Sequence, residues 1–147
     1  MLKSIVGVVV GYLVMAFVAF AAYTAAYLGL GPDRVFEEGT FAISGMWIGL
    51  MIAVTFIAGL LGGLTCAAIS KSRTTGLVFA LIVFVLGFVF ELPNIMSDHT
   101  PVARTGDVSN LEAMGKAQPP AWLCILNPFL AGAAVLMGTR MKKSPVV

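Results

Sequence analysis

The sequence predicts an all-α integral membrane protein, a bundle of four transmembrane helices with both termini in the cytoplasm. The first observation is composition, because 59% of the 147 residues are hydrophobic and only 11% are charged. Soluble domains average roughly 45–50% apolar and about 25% charged residues. The second observation is a series of four apolar runs, each near the roughly 20 residues that a helix needs to cross a hydrocarbon core about 30 Å thick. The chain length suits a single domain.

The four apolar runs should each be a helix, because every backbone polar group in lipid must be paired within the protein. The predicted spans are residues 5–28, 43–69, 75–92 and 120–138 of one domain, 1–147. The first run has no charged residue from Ser4 to Pro32, which is far longer than the about 7–15 apolar residues of a signal-peptide core. We therefore expect it to be retained as an anchor. Two external loops are predicted at about 29–42 and 93–119.

The charged residues divide between the two sides of this four-span arrangement. One side carries six basic residues and no acidic residue: Lys3, Lys71, Arg73, Arg140, Lys142 and Lys143. The other side carries all seven acidic residues, together with Arg34, Arg104 and Lys116. Cytoplasmic loops are enriched in Lys and Arg, so the first side is predicted to be cytoplasmic. The overall pattern resembles that of many small bacterial membrane proteins, which predicts the bacterial inner (plasma) membrane.

The second external loop contains a predicted short helix. Ser109 stands three residues before Glu112, the spacing of a capping box in which each side chain pairs with the backbone N–H of the other residue. A helix over about residues 110–117 should follow. Leu111 and Met114 share one face of this helix. We expect that face to rest on the membrane surface or on the bundle.

Aromatic side chains lie near the external ends of the spans. Trp47 and Trp122 stand near the external starts of the second and fourth spans, and Tyr23 and Tyr27 lie near the external end of the first. Rings of this kind prefer the level of the lipid headgroups, so we expect an aromatic belt there. Deeper in the second span, the hydroxyl of Thr55 is expected to bond to its own helix.

Glycines recur along one face of each of the first two spans. Small residues allow two backbones to approach closely, which favours helix association where the surrounding lipid is as apolar as the side chains. The glycines predicted to pack against other helices are Gly7, Gly11, Gly45, Gly49, Gly59 and Gly63. The simpler interpretation is packing within one four-helix bundle. The alternative is that the second span also docks a membrane-protein partner or a second copy of the chain.

Asn127 and Pro128 form the most conspicuous polar feature inside a span. Pro128 has no N–H and leaves the carbonyl of Cys124 without its helical partner, which predicts a kink in the fourth span. Asn127 lies on the small-residue face and should point into the bundle. A polar residue inside a membrane suggests a function. The structural alternative is an interhelical hydrogen bond, which stabilises by about 0.6–2 kcal/mol.

Glu91 is the acidic residue that adjoins an apolar span. It precedes Pro93, which is predicted to end the third span at Leu92. A carboxyl group buried in lipid would have a raised pKa and could carry protons. The external position of Glu91 places water nearby, so a helix terminus at headgroup level is the competing interpretation. Asn127, Pro128 and Glu91 together form the candidate intramembrane polar site.

The sequence carries no catalytic, cofactor or metal signature. Cys66 and Cys124 form no C-x-x-C pair and are predicted to lie in opposite halves of the membrane, too far apart for a disulfide. His99 lies in a loop and cannot by itself supply the three or four ligands of a zinc site. The net charge of +2 gives no argument for nucleic-acid binding. The lipid bilayer is the expected surrounding of the chain.

Three classes of function remain open. The first choice is a non-enzymatic accessory, assembly or interaction protein that works through its helix faces and the second external loop. The alternative is a small transporter or channel lined by Asn127, Glu91 and the kinked fourth span, which requires a polar stripe through the bundle. The third is an enzyme that acts on lipid, which requires a nucleophile and a base that the sequence does not show.

Overall fold

The computed structural model describes residues 1–98, 100–106 and 108–141. It contains six helices: α1 (Leu2–Leu30), α2 (Pro32–Val35), α3 (Gly45–Ser70), α4 (Arg73–Met96), α5 (Asn110–Lys116) and α6 (Ala121–Met141). Helices α1, α3, α4 and α6 are each long and apolar enough to span a membrane. The predicted all-helical fold with four such helices is confirmed. The predictions made for His99, Lys142 and Lys143 lie outside the described residues.

Local sequence explains where the central helices begin and end. The Ser44 side chain accepts a hydrogen bond from the backbone N–H of Trp47 (3.3 Å), and Ser72 accepts one from Thr75 (3.3 Å). Caps of this kind satisfy N–H groups that the first turn of a helix leaves unpaired. At the end of α3, Lys71 adopts the left-handed conformation (φ 52°) and turns the chain directly into α4.

The four long helices alternate in direction along the chain. Helix α1 packs against α3, α3 against α6, and α6 against α4, whereas α1 and α4 meet at far fewer positions. At one end of the bundle, the Thr75 hydroxyl of α4 donates a hydrogen bond to Ser4 of α1 (3.0 Å). We call this the terminal end, because it holds the start of α1, the turn between α3 and α4, and the end of α6. Both long connections lie at the opposite end, the cap end.

Glycines bring α3 into direct backbone contact with two neighbouring helices. A Cβ built at Gly63 would lie 2.2 Å from the carbonyl oxygen of Val135 in α6. On another side of α3, a Cβ built at Gly62 would lie 2.8 Å from the carbonyl oxygen of Gly11 in α1. A side chain larger than hydrogen does not fit at such separations. These glycines therefore set how closely α1, α3 and α6 approach.

Four of the six glycines singled out in the sequence lie in contacts between helices: Gly7, Gly11, Gly59 and Gly63. Gly45 and Gly49 do not, since no atom of the described residues lies within 4 Å of a Cβ built at either position. The expectation that they pack within this bundle is not met. Packed helices cross at an angle, so a straight stripe leaves the contact after a few turns. Near its start α3 instead buries the opposite side, which carries Trp47.

The two long connections fold together over one end of the bundle. We call this structure the cap, and it comprises the described residues of 31–44 and 97–120. The backbone N–H of Phe41 donates to the carbonyl of Val102 (3.0 Å), and that of Gln118 donates to the carbonyl of Phe41 (2.9 Å). The sequence analysis treated the two connections as separate loops and missed this association.

A hydrophobic core holds the cap on the bundle. It combines buried side chains of the long helices with side chains from both parts of the cap: Tyr27, Val35, Phe36, Phe41, Ile43, Trp47, Val108, Ala113 and Leu123. The Tyr27 hydroxyl donates a hydrogen bond to the carbonyl of Val108, which ties α1 to the second connection. Arg104 links the two connections through a 2.8 Å ion pair with Asp33.

Helix α4 is longer than predicted. It continues through Pro93 to Met96, whereas the sequence analysis ended this span at Leu92. A proline removes one N–H donor and crowds the preceding turn, and only three residues of the helix follow it here. The hydrogen bond that is lost is the one to the carbonyl of Val89, so the disruption falls in the last two turns of the helix.

The aromatic belt is only partly as expected. Trp122 is 53% exposed, but Trp47 and Tyr27 are 8% and 6% exposed and belong to the cap core. The cap covers the cap end of α1 and the start of α3, so rings at that level face protein. The positions of Trp47 and Tyr27 along their helices agree with the prediction. Their rings were predicted to face lipid headgroups, and they face the cap core instead.

Helix α5 packs on the bundle through Ala113, and contact of its Leu111 face with the membrane surface stays a prediction. The Ser109 hydroxyl accepts a hydrogen bond from the N–H of Glu112 (3.3 Å), which is one half of a capping box. The Glu112 carboxylate accepts a hydrogen bond from the side chain of Lys116 (2.7 Å), and not from the backbone N–H of Ser109 as in a complete capping box. Ala113 is buried on the bundle, whereas Leu111 is exposed. The short Ala113 side chain lets the backbone of α5 lie close to α1.

Candidate functional site

A cleft opens between α1 and α4 on the cap side of the bundle. At the terminal end the two helices touch, and a Cβ built at Gly11 would lie 3.1 Å from the ring of Phe79. Towards the cap they separate and leave a space of about 210 Å³. The polar side chains that line the cleft are Tyr12, Tyr23, Thr55, Glu91 and Asn127. These groups come from all four long helices.

Three of these polar groups connect α1, α3 and α6. The Thr55 hydroxyl donates a hydrogen bond to Oδ1 of Asn127 (3.2 Å). The Tyr23 side chain of α1 lies close to Thr55 and lines the same cleft. Asn127 thus has a partner on a neighbouring helix, whereas the expectation that Thr55 bonds to its own helix was wrong. Because Asn127 also lines the cleft, one side chain both joins two helices and presents an amide to the cleft.

Pro128 forms part of the back wall of the cleft. It is fully buried in α6, and a Cβ built at Gly87 of α4 would lie 3.4 Å from the Cβ of Pro128. The missing side chain of Gly87 lets the proline ring approach α4. Helix α6 runs as a single element through Pro128, and the kink that the sequence suggests stays a prediction.

Glu91 stands where the cleft meets the cap. Its carboxylate accepts a hydrogen bond from the side chain of Asn94 (2.9 Å) and lies beside the thiol of Cys124. Within residues 1–98, 100–106 and 108–141, Glu91 forms no ion pair. The side chain is partly buried. Glu91 therefore lines both the cleft and the space beneath the cap while standing near the cap end of α4.

A second space, the cap cavity, lies between the cap and the bundle. Its volume is about 230 Å³. It shares Tyr23 and Glu91 with the cleft, so these two residues mark the junction of two adjoining spaces. Much of its remaining wall is aromatic, with Tyr27, Phe36 and Trp47 among the lining side chains.

Asn110 of α5 lines the cap cavity and joins the cap to α1. Its side-chain nitrogen donates a hydrogen bond to Thr24 of α1 (3.1 Å). Its side-chain oxygen is buried within the protein and has no partner among the described residues. A buried acceptor without a partner costs about 1–3 kcal/mol.

The cleft is closed at the terminal end in the described part of the chain. A cluster of buried residues fills the bundle there: Cys66, Phe79, Ala80, Val83, Ala131 and Val135. Phe79 is the largest of them and is fully buried. This cluster separates the cleft from the terminal end of the bundle. Cys66 and Cys124 are both buried and unpaired.

The three predicted site residues all line the cleft, and the structure adds others that the sequence analysis missed. Tyr23 was assigned to the headgroup belt and Thr55 to its own helix. A signal for Tyr23 was present, because Tyr12 and Tyr23 lie three helical turns apart and so share one face of α1. No comparable pattern linked α1 to the cap, whose contributions come from residues distant in sequence.

Comparisons of the chain with protein-family models, curated proteins and solved structures gave no match. Within the described residues, no group of three or more His, Cys, Asp or Glu side chains is placed to hold a metal ion. The groups that the site does present are hydroxyls, amides, aromatic rings and one carboxylate, which suit non-covalent binding.

Proposed function

We propose that this chain is a non-enzymatic membrane protein that works by binding, in an accessory or interaction role, and that its binding site is the cleft. The observation that supports this most is the junction at Tyr23 and Glu91, where a polar-lined cleft adjoins an aromatic cavity under the cap. Mostly apolar walls with a few convergent polar groups are typical of sites for small molecules.

The proposed setting is the inner (plasma) membrane of a bacterium, with the terminal end in the cytoplasm and the cap outside. Four basic residues lie at the terminal end: Lys3, Lys71, Arg73 and Arg140. The acidic residues of the described chain lie at the cap end. Enrichment of Lys and Arg on the cytoplasmic side supports this orientation. The cap cavity then lies at the outer surface of the membrane.

The bilayer supplies the ligand in this proposal. Helices α1 and α4 meet at few positions and both line the cleft, so a path from the bilayer into the cleft would run between them. A molecule dissolved in the bilayer could reach Thr55 and Asn127 by this path without passing through the cap. Its polar group would meet the hydroxyl, amide and carboxylate groups, and its apolar part would replace lipid against the helix walls.

Copurification tests the proposal. Protein isolated from native membranes in polymer-bounded discs would be washed with detergent, and the molecules that remain bound would be identified by mass spectrometry. Ala19 lines the cleft, so Ala19→Phe places a ring inside it. We expect the parent protein to retain a molecule whose occupancy in Ala19→Phe falls about tenfold, the change that a loss of about 1.4 kcal/mol of binding free energy produces.

The matched control is Ala21→Phe. Ala21 is exposed on the opposite face of α1 and is not part of the cleft lining. The same added ring should therefore leave the bound molecule in place. Recovery of the same molecules in the same amounts from the parent and both variants would contradict binding in the cleft.

A small transporter is the second candidate, and one observation favours it. The cleft and the cap cavity both contact Glu91, so a movement of this side chain would join the interior of the bundle to the space beneath the cap. Transport would further require the terminal end to open, where Ser4 and Thr75 now join α1 to α4. Accumulation of the copurified molecule inside proteoliposomes would favour the transporter. Binding without accumulation would favour the accessory role.

A further inference from the structure

We propose that the cap cavity binds an organic ammonium cation, whose head lies among aromatic rings and against the carboxylate of Glu91. This inference rests on the proposed binding function and adds the chemical class of the ligand. The same head group occurs on free cations and on membrane amphiphiles, and the experiment below separates these two sources.

Aromatic rings supply the first part of the site. Tyr23, Tyr27, Phe36 and Trp47 all line the cap cavity. The ring centres of Tyr23 and Trp47 are 6.0 Å apart and the rings are tilted by 40°, so they form a corner rather than a parallel stack. An aromatic face attracts a cation within about 6 Å of its centre, and aromatic cages are a recurrent means of recognising quaternary ammonium groups.

Glu91 supplies the charge. It is the one Asp, Glu, Lys or Arg side chain in the described lining of the cap cavity. The two basic residues of the cap that form ion pairs are engaged elsewhere, Arg104 with Asp33 and Lys116 with Glu112. An ammonium group in the cavity would therefore meet a carboxylate that no described side chain neutralises. Partial burial reduces the screening of this attraction by salt.

The dimensions favour a small head. The cap cavity of about 230 Å³ is below the about 300–1,000 Å³ of sites for drug-sized molecules. The cleft continues from the same Tyr23 and Glu91. An apolar tail attached to the head would extend into the cleft, between Ala19 of α1 and Leu86 of α4.

Tryptophan fluorescence provides the test, because Trp47 lines the cap cavity and Trp122 does not. The protein would carry Trp122→Phe, so that Trp47 is the only reporter, and would be held in dodecyl maltoside micelles. Tetramethylammonium chloride tests the free cation. Dodecyltrimethylammonium chloride carries the same head on an apolar tail, and sodium chloride controls for ionic strength. We expect a saturable change with at least one ammonium probe and none with sodium chloride.

Three variants assign the effect to the site. Glu91→Gln keeps the shape and removes the charge, and we expect it to weaken binding about tenfold or more. Tyr23→Leu removes a ring and keeps the charge, and should weaken binding to a lesser degree. The matched control is Glu112→Gln, which removes the same charge from a partly exposed carboxylate on the outside of the cap and should bind like the parent.

The outcomes separate this inference from the proposed function. Saturation by both probes with similar affinity supports a site for free cations, and saturation by the dodecyl probe alone supports a site for membrane amphiphiles. An unchanged Trp47 signal with both probes overturns the inference, as does unaltered affinity in both Glu91→Gln and Tyr23→Leu. If neither probe binds but Ala19→Phe still loses its copurified molecule, the ammonium class is wrong and binding in the cleft stands.

Discussion

Replacement of Gly63 by alanine is expected to lower the apparent melting temperature of the purified protein by about 10 °C or more. The new Cβ would lie 2.2 Å from the oxygen and 3.0 Å from the carbonyl carbon of Val135. These are backbone atoms of α6, which cannot rotate away as a side chain can. Overpacking typically costs about 1–3 kcal/mol, and we expect at least the upper value because α3 and α6 must separate. Thermal unfolding in detergent, followed by fluorescence or by size-exclusion chromatography after heating, measures the effect.

The matched control for this substitution is Gly49→Ala on the same helix. Gly49 is exposed, and no described atom lies within 4 Å of a Cβ built there. Alanine favours a helix over glycine by about 1 kcal/mol, so the melting temperature should stay the same or rise slightly. If Gly63→Ala were as stable as the parent, α3 and α6 would not be packed in the observed register.

Phe79→Ala is expected to destabilise the protein by about 2–3 kcal/mol. The Phe79 side chain is fully buried where α1, α3, α4 and α6 meet at the terminal end. Lipid is as apolar as the bundle interior, so the lost transfer free energy is small in a membrane. What remains is the cavity cost, about 24 cal/mol per Å³ for the roughly 100 Å³ that the ring occupied. The same thermal unfolding measurement reports it.

Phe17→Ala is the control for the loss of a ring. The Phe17 side chain is 72% exposed on α1, where lipid or detergent fills the space that the ring leaves. The melting temperature of the Phe17→Ala variant should stay close to that of the parent protein. Equal destabilisation by the two alanine substitutions would show that Phe79 is not enclosed as the structure has it.

The spans could be predicted because hydropathy is a local property of the sequence. The run from Ser4 to Pro32 contains no charged residue, and α1 occupies most of it. The role of Gly59 and Gly63 in packing followed from their spacing of one helical turn. The same periodicity failed at Gly45 and Gly49, because spacing identifies a face of the helix and does not reveal how far a crossing neighbour follows it.

The cap could not be predicted by the same reasoning. Its core depends on pairs distant in sequence, such as Tyr27 and Val108, whose hydrogen bond joins residues 81 positions apart. A clue was present in Val35, Phe36 and Phe41, since such apolar residues in an external loop need a surface to cover them. The sequence did not show that the second connection provides that surface.

The polar site was predicted in part for a related reason. Asn127 and Glu91 stand out in an apolar sequence, because a polar group inside or beside a span is costly unless it is paired. Tyr23 and Thr55 stand out less. An aromatic belt accounts for the amphipathic Tyr23, and a hydrogen bond to its own helix accounts for the small Thr55. Only the arrangement of the helices shows that these side chains meet around one cleft.

The cleft requires that α1 and α4 meet at the terminal end and separate towards the cap, and disulfide formation between paired cysteines tests this most directly. In a Cys66→Ala, Cys124→Ala background, one protein would carry Ser4→Cys with Thr75→Cys, and another Ala19→Cys with Phe90→Cys. A disulfide requires Cα atoms within about 7 Å. The hydroxyls of Ser4 and Thr75 are 3.0 Å apart, whereas Ala19 and Phe90 line the open cleft. On mild oxidation we expect the first pair to form a disulfide and the second to stay reduced, and equally efficient disulfide formation by both pairs would contradict the cleft.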